Sequence, residues 1–191
     1  MSLPQIIGIA GTFASGKDTL AEYLIESYGF THVSTGDMVR AEAQKRYGNI
    51  ERPTLRIVGP ELRAEGGVGV LVQKALEQPQ PIVITGIRAI GEAKAIKKAG
   101  GILLFIDANI EIRYDRMKKR SRDAETEISF DEFAESERKE VAVGNSDEDY
   151  NQVVIQNMAD KTINNSGDLD TFYKVAIDYL STTQQHTELT D

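Results

Sequence analysis

The sequence predicts an α/β fold, a parallel five-stranded sheet with helices on both faces, and three observations predict it. Short, almost wholly apolar runs at 5–10, 81–85 and 102–106 alternate with longer stretches of helical periodicity. Strands without polar alternation are buried on both sides, as in a parallel sheet covered by helices. The first strand also passes through a glycine-bracketed loop directly into a helix, the join from which such sheets are built.

In order along the chain, residues 5–10 form the first strand and 16–28 the first helix, with Gly29 as its C-cap. A second strand covers 30–34, in which the lone His32 has no partner at metal-ligand spacing and reads as structural. Thr35-Gly36-Asp37 then caps a helix over about 37–47, which ends at Tyr47-Gly48-Asn49. Residues 49–80 are broken by proline and glycine into helices at 53–65 and 67–77. Gly66-Gly67-Val68-Gly69 follows no strand and reads as a turn. The strand at 81–85 leads through Gly86-Ile87-Arg88 to a helix at 90–98, and Gly100-Gly101 turns the chain into the strand at 102–106. A helix rich in arginine and lysine spans 109–121, and an acidic stretch follows with a helix from Ser129 to about 141. A helix near 147–157, a strand at 161–164 and a helix at 168–180 complete the pattern, and the polar residues from Ser181 onward read as a frayed tail.

Composition narrows the function classes. At 191 residues the chain reads as a single domain over 1–180 with a flexible tail over 181–191. Hydrophobic residues at 40% and charged residues at 27% suit a globular protein in water. There is no cysteine, which excludes disulfides and cysteine-held zinc. No signal-like start or membrane-length apolar run occurs, so the cytoplasm is the expected location. A net charge of −8 argues against a nucleic-acid or membrane partner and makes local arginine clusters informative.

The strand-loop-helix join carries Gly11-Thr12-Phe13-Ala14-Ser15-Gly16-Lys17-Asp18-Thr19. Glycines let backbone N–H groups turn inward on an anion, and the helix start adds its own free N–H groups and dipole. Lys17 supplies a mobile positive charge. Gly11, Ala14, Ser15, Gly16, Lys17, Asp18 and Thr19 are therefore the expected nucleotide-phosphate contacts. The loop pattern has Ser or Thr directly after the lysine for Mg²⁺, whereas here Asp18 intervenes and Thr19 comes one place later. In a parallel sheet ligands sit at the carboxyl edge of the strands. Gly11–Thr19, Ser34–Asp37 and Gly86–Arg88 all fall on that edge.

Ser34-Thr35-Gly36-Asp37-Met38-Val39-Arg40 closely resembles the nucleoside-monophosphate-binding motif of adenylate kinases, and Gly16-Lys17-Asp18-Thr19 is similar to their phosphate loop. The resemblance spans about residues 5–180. It implies a three-layer P-loop NTPase fold with an acceptor-binding helical insertion at about 35–80 and a short lid at about 121–129. It also implies ATP and Mg²⁺ as cofactors and a small nucleotide acceptor bound by Thr35, Gly36, Asp37 and Arg40. Thr85-Gly86-Ile87-Arg88 resembles the family's strand-end motif, so Gly86 and Arg88 are expected at the acceptor phosphate. With Glu92-Ala93-Lys94-Ala95-Ile96, that stretch is closer to archaeal adenylate-kinase-related proteins, phage deoxynucleotide kinases and dephospho-coenzyme A kinases. The family carries Asp where Thr85 stands, so Asp18 or Asp37 is expected to join Thr19 at the metal.

Arg113, Arg116 and Arg120 share one helix face, Arg122 extends the cluster, and Lys118 and Lys119 are expected to look outward. The Arg116/Arg120 pair matches the spacing of lid-proximal arginines in adenylate kinases. The resemblance thus implies, beside Lys17 and Arg88, a catalytic role for both on the phosphoryl group in flight. It also implies that Arg138 returns to the substrate after the lid, with pairing to Glu135 or Glu137 as the alternative. The expected function is ATP- and Mg²⁺-dependent transfer of the γ-phosphoryl group to a nucleoside monophosphate or similar nucleotide. Dephospho-coenzyme A is the alternative acceptor, with Asp37 then serving as base, and an ATP-binding regulatory or assembly factor is the alternative from another class. No Asn-Lys-x-Asp motif supports a GTPase.

Overall fold

The computed structural model describes residues 2–119, 128–140, 144 and 146–187. Five parallel strands form one sheet: β1 (Ile6–Gly11), β2 (Thr31–Ser34), β3 (Ile82–Ile87), β4 (Ile102–Asp107) and β5 (Lys161–Asn164), in the order β2-β3-β1-β4-β5. The strand carrying the glycine loop is thus central, with β3 on one side and β4 on the other. Register aligns the strand ends. Ser34 lies opposite Thr85, Ile9 opposite Thr85, and Gly11 opposite Ile106.

Period-two alternation splits the strand residues between two cores. Ile7, Ile9, Val83, Leu104 and Ile106 pack with Leu20, Ala21 and Leu24 of α1 (Lys17–Tyr28) and with Phe172, Ala176 and Leu180 of α9 (Leu169–Thr187). Ile6, Ile82, Ile84, Leu103 and Phe105 face the other way, onto α4 (Val70–Ala75), α5 (Ile90–Lys98) and α8 (Gln152–Met158). A third cluster, including Ala43, Val58, Leu62 and Leu71, joins α2 (Thr35–Tyr47), α3 (Arg52–Gly66) and α4 into the helical insertion between β2 and β3. A fourth gathers Phe13, Ala14, Tyr114, Met117 and Phe133, and so packs α6 (Ile110–Lys119) and α7 (Phe130–Glu140) on the glycine loop.

The structure moves several predicted boundaries. Ser34, not Thr35, caps α2, because its hydroxyl accepts the Asp37 N–H at 3.2 Å; the helix therefore begins two residues early. α8 begins at Gln152, since the Asn151 side chain accepts the Val154 N–H at 3.0 Å. α4 is shorter than the predicted 67–77. The polar tail is a correction: α9 continues to Thr187. Ser181 is buried and donates to the Ile177 carbonyl at 2.7 Å, while Thr182 and Thr183 donate to Tyr179 and Leu180, so these hydroxyls are satisfied within the helix. Most of the expected lid lies outside the described residues. Among the described residues, no helix is long and apolar enough to cross a membrane.

Candidate active site

The loop between β1 and α1 is shaped by three backbone conformations that side chains disfavour. Gly11, Ala14 and Gly16 have φ of 140°, 58° and 100°. Gly11 has no alternative, because a Cβ there would lie 2.0 Å from the Ile106 carbonyl oxygen of β4. Thr12 fastens the same spot by donating through its N–H to that carbonyl at 3.2 Å and through its hydroxyl to Asp107 Oδ1 at 2.7 Å. Lys17 folds back over the loop, its ammonium 3.0 Å from the Gly11 carbonyl and also bonded to that of Thr12.

From the other side, the Asn165 amide donates to the Ser15 carbonyl at 2.8 Å. Arg116 bonds the carbonyls of Ser15 and Asn165 at 3.4 and 2.9 Å. Burial holds its guanidinium below the ordinary arginine range, and both of these bonds go to neutral carbonyls. The fully buried Ser15 hydroxyl and the Asn165 side-chain oxygen have no partner among the described residues. A pocket of about 430 Å³ opens here, lined by residues 14–19 with Arg116, Lys119, Asn165 and Leu169. Lys119 is exposed, as expected, and also stands at the rim of this pocket. Desolvated cations, orphaned polar atoms and a cradle that Cβ atoms would fill are the features of a polyphosphate site. ATP fits it. Thr19 and Asp18 border this pocket and are the residues that would support Mg²⁺, which typically binds through phosphate oxygens and one or two carboxylates.

The second half of the site lies at the ends of β2 and β3. Buried Thr35 donates its hydroxyl to the Gly86 carbonyl at 2.7 Å, and Gly86 (φ 81°) leaves no room for a Cβ, which would meet the Thr35 oxygen at 2.8 Å. This close approach joins the start of α2 to the end of β3. Arg40 bonds Asp37 through Nε at 3.0 Å and through Nη2. Burial raises the Asp37 carboxyl, but Arg40, with smaller help from Ser34 and His32, outweighs it and holds the group below the usual aspartate range. Asp37 is thus paired with Arg40 and absent from the lining of the phosphate-loop pocket, whereas Asp18 is within it. Arg88 is exposed at the end of β3, and Thr85 behind it bonds the His32 ring at 2.9 Å.

The other arginines separate. Arg113 is buried and bonds the Phe13 carbonyl at 3.2 Å, the Ala108 carbonyl at 3.0 Å and the Glu137 carboxylate, so it braces the loop from below. Arg138 does not return to the site: it is exposed and pairs with Glu135 at 2.6 Å, while its neighbour Glu137 points inward. Arg120, Arg122 and nearly all of the lid fall outside the described residues. Sequence reasoning missed Asp107, Asn165 and Glu137. A carboxylate ending a buried strand and an amide just past the last strand are the signals that could have found the first two.

Fold and loop together define an α/β protein with a P-loop between its central strand and the helix that follows. The chain belongs to the family described as AAA domain, whose model matches residues 7–142, and to the UPF0200 proteins. A UPF0200 protein of Pyrobaculum aerophilum is 31% identical over 148 residues, covering 75% of this chain and 81% of that protein. A UPF0200/UPF0201 protein of Archaeoglobus fulgidus is 31% identical over 178 residues; the match covers 88% of this chain but only 52% of that longer relative. Among solved structures, shikimate kinase from Aquifex aeolicus superposes with a TM-score of 0.55 at 21% identity, covering 94% of this chain and 98% of that one. A gluconokinase from Sinorhizobium meliloti gives 0.58 at 14% identity, covering 100% and 99%. At these identities the likeness establishes the fold.

Proposed function

We propose that the protein is an ATP- and Mg²⁺-dependent kinase that transfers the γ-phosphoryl group to the phosphate of a nucleoside monophosphate or similar nucleotide. The observation that carries this reading is the two-sided crevice. A P-loop with the desolvated Arg116 stands at one end of the sheet edge, and the β2–α2 join with Arg40 and Arg88 stands beside it. Phosphoryl transfer needs alignment and neutralised charge more than covalent help. The loop N–H groups and Lys17 hold the donor phosphates, Arg40 and Arg88 hold the acceptor phosphate, and Arg116 leaves its carbonyl partners for the oxygens in flight. Thr19 and Asp18 would hold Mg²⁺, which would supply further neutralising charge.

A phosphate acceptor is already ionised and needs no base. A hydroxyl acceptor, as in dephospho-coenzyme A, would need one, and Asp37 serves only by giving up Arg40. That pairing favours a phosphate acceptor. The test is ADP release with Mg²⁺ and ATP against nucleoside and deoxynucleoside monophosphates, dephospho-coenzyme A, shikimate and gluconate, with Lys17→Ala as the blank. Turnover that requires a nucleoside monophosphate and vanishes in the variant supports the proposal. Turnover only with a hydroxyl acceptor refutes the phosphate reading. ATP binding without acceptor-dependent turnover points to a regulatory nucleotide-binding protein.

A further inference from the structure

Glu92, on the first turn of α5, is fully buried, yet its carboxylate serves four donors. Oε1 accepts from Nε and Nη2 of Arg63 at 3.1 and 2.7 Å, and Oε2 accepts the backbone N–H groups of Arg88 and Ala89 at 2.9 and 3.1 Å. Arg63 comes from α3 in the helical insertion and is only 5% exposed. Its Nη1 donates to the Tyr150 hydroxyl at 3.2 Å, and its guanidinium carbon stands 5.2 Å from the centroid of that ring. Tyr150, in the segment after α7, forms an antiparallel bridge with Ala89. Gly59 on α3 leaves the space: a Cβ there would lie 3.0 Å from the Tyr150 hydroxyl and 3.2 Å from Arg63 Nη1. The insertion and the end of β3 therefore meet on one carboxylate, and the segment after α7 joins them through Arg63.

A buried ion pair contributes little net stability but is costly to break from one side, so it holds a particular geometry better than it holds a fold. The geometry held here is the backbone of Arg88. Its guanidinium is exposed, and no pairing with a described residue fixes it. The direction in which it reaches is therefore set where its own N–H and that of Ala89 are anchored.

We propose that buried Arg63 and Glu92, with the half-buried Tyr150, form a positioning cluster that aims Arg88 at the acceptor phosphate. The cluster also couples that arginine to the acceptor-binding insertion and to the segment after α7. This rests on the reading that Arg88 holds the acceptor. None of the three touches substrate; they act through the Arg88 backbone, and their loss is felt in acceptor binding.

The test compares Arg63→Met and Tyr150→Phe with the wild-type chain by site-resolved amide hydrogen exchange and steady-state kinetics. Exchange at the Arg88 and Ala89 amides is expected to rise roughly tenfold in Arg63→Met and about threefold in Tyr150→Phe, with Gly11–Thr19 unchanged. The acceptor KM is expected to rise by similar factors, with the ATP KM and kcat within about twofold of wild type. Unchanged exchange at Arg88 and Ala89 overturns the proposal. So does exchange that rises equally in the P-loop, or a loss that falls on kcat or the ATP KM. Should Arg63→Met not fold, Tyr150→Phe, which removes a single hydroxyl, carries the same comparison. If the wild-type chain transfers phosphate to no acceptor, the kinase reading fails by itself, and the exchange at Arg88 and Ala89 decides the cluster.

Discussion

Asn165 donates its side-chain amide to the Ser15 carbonyl at 2.8 Å across 150 positions of sequence, and Gly16 is the residue that makes room for it. A Cβ on Gly16 would lie 2.2 Å from the donating nitrogen. The conformation of the P-loop is therefore completed by an amide just past β5.

Asn165→Ala removes that amide and leaves the buried Ser15 carbonyl with only the 3.4 Å bond from Arg116. We expect a stability loss of about 1–3 kcal/mol and an ATP Kd raised roughly tenfold. Denaturant melts and calorimetric titration check both. An unchanged ATP affinity would show that the loop holds its shape without the amide.

Gly11→Ala meets backbone, not a side chain that can swing aside, and at a φ of 140°. The expected outcome is a chain destabilised by more than about 3 kcal/mol or recovered only as aggregate. A soluble variant with a wild-type melting temperature would refute this account of the β1–β4 approach.

Phe133 fills the cluster that packs α7 on the P-loop tip, 6.3 Å from Phe13 between ring centroids. It is 2% exposed, so Phe133→Ala should cost about 3–5 kcal/mol. Phe133→Leu keeps most of the volume and should cost less. The useful readout is the ATP KM of the leucine variant, which rises if the tip depends on this support.

On the proposed reading, in which the guanidinium acts on charge that develops during transfer, Arg116→Ala should lower kcat by roughly 10²–10³ while ATP binding changes much less. Rapid-quench measurement of the chemical step separates this from product release. A variant that loses affinity and keeps kcat would place Arg116 in ground-state binding.

The Asp37 carboxyl is held below its ordinary range, so the sign of its linkage follows. Its contribution to stability is fully present above the unfolded value of about 4 and disappears as pH falls through the lower folded value. The melting temperatures of wild type and Asp37→Asn should differ near neutrality and converge in acid. With the carboxylate largely exposed, the gap is expected to be small and to shrink with salt. A gap that widens in acid would contradict the pairing with Arg40.

The central strands β1, β3 and β4 were legible because they are buried on both faces and read as largely apolar runs, whereas the polar, more exposed edge strands β2 and β5 carry a weaker signal. The donor loop was legible for a related reason: glycine spacing and a lysine are local. Asp107 and Asn165 were not, since each acts through a partner 95 or 150 residues away. Arg138 and Glu137 exchanged parts, because helix periodicity gives the spacing of side chains and not which of two neighbours faces inward. The tail was misread because serine and threonine suggest fraying, yet here their hydroxyls bond to carbonyls one turn back.

The loop that opens the chain leans on β4 through Gly11, on α6 and α7 through Phe13 and Arg113, and on the end of β5 through Ser15. As the ribosome releases the chain, the nucleotide motif emerges early but remains incomplete until residue 165 has emerged and docked. On the proposed reading, acquisition of nucleotide affinity would thus report that the chain has been made through β5. A nascent chain stalled before β5 would display the full glycine-lysine signature and still lack the bond that finishes its cradle.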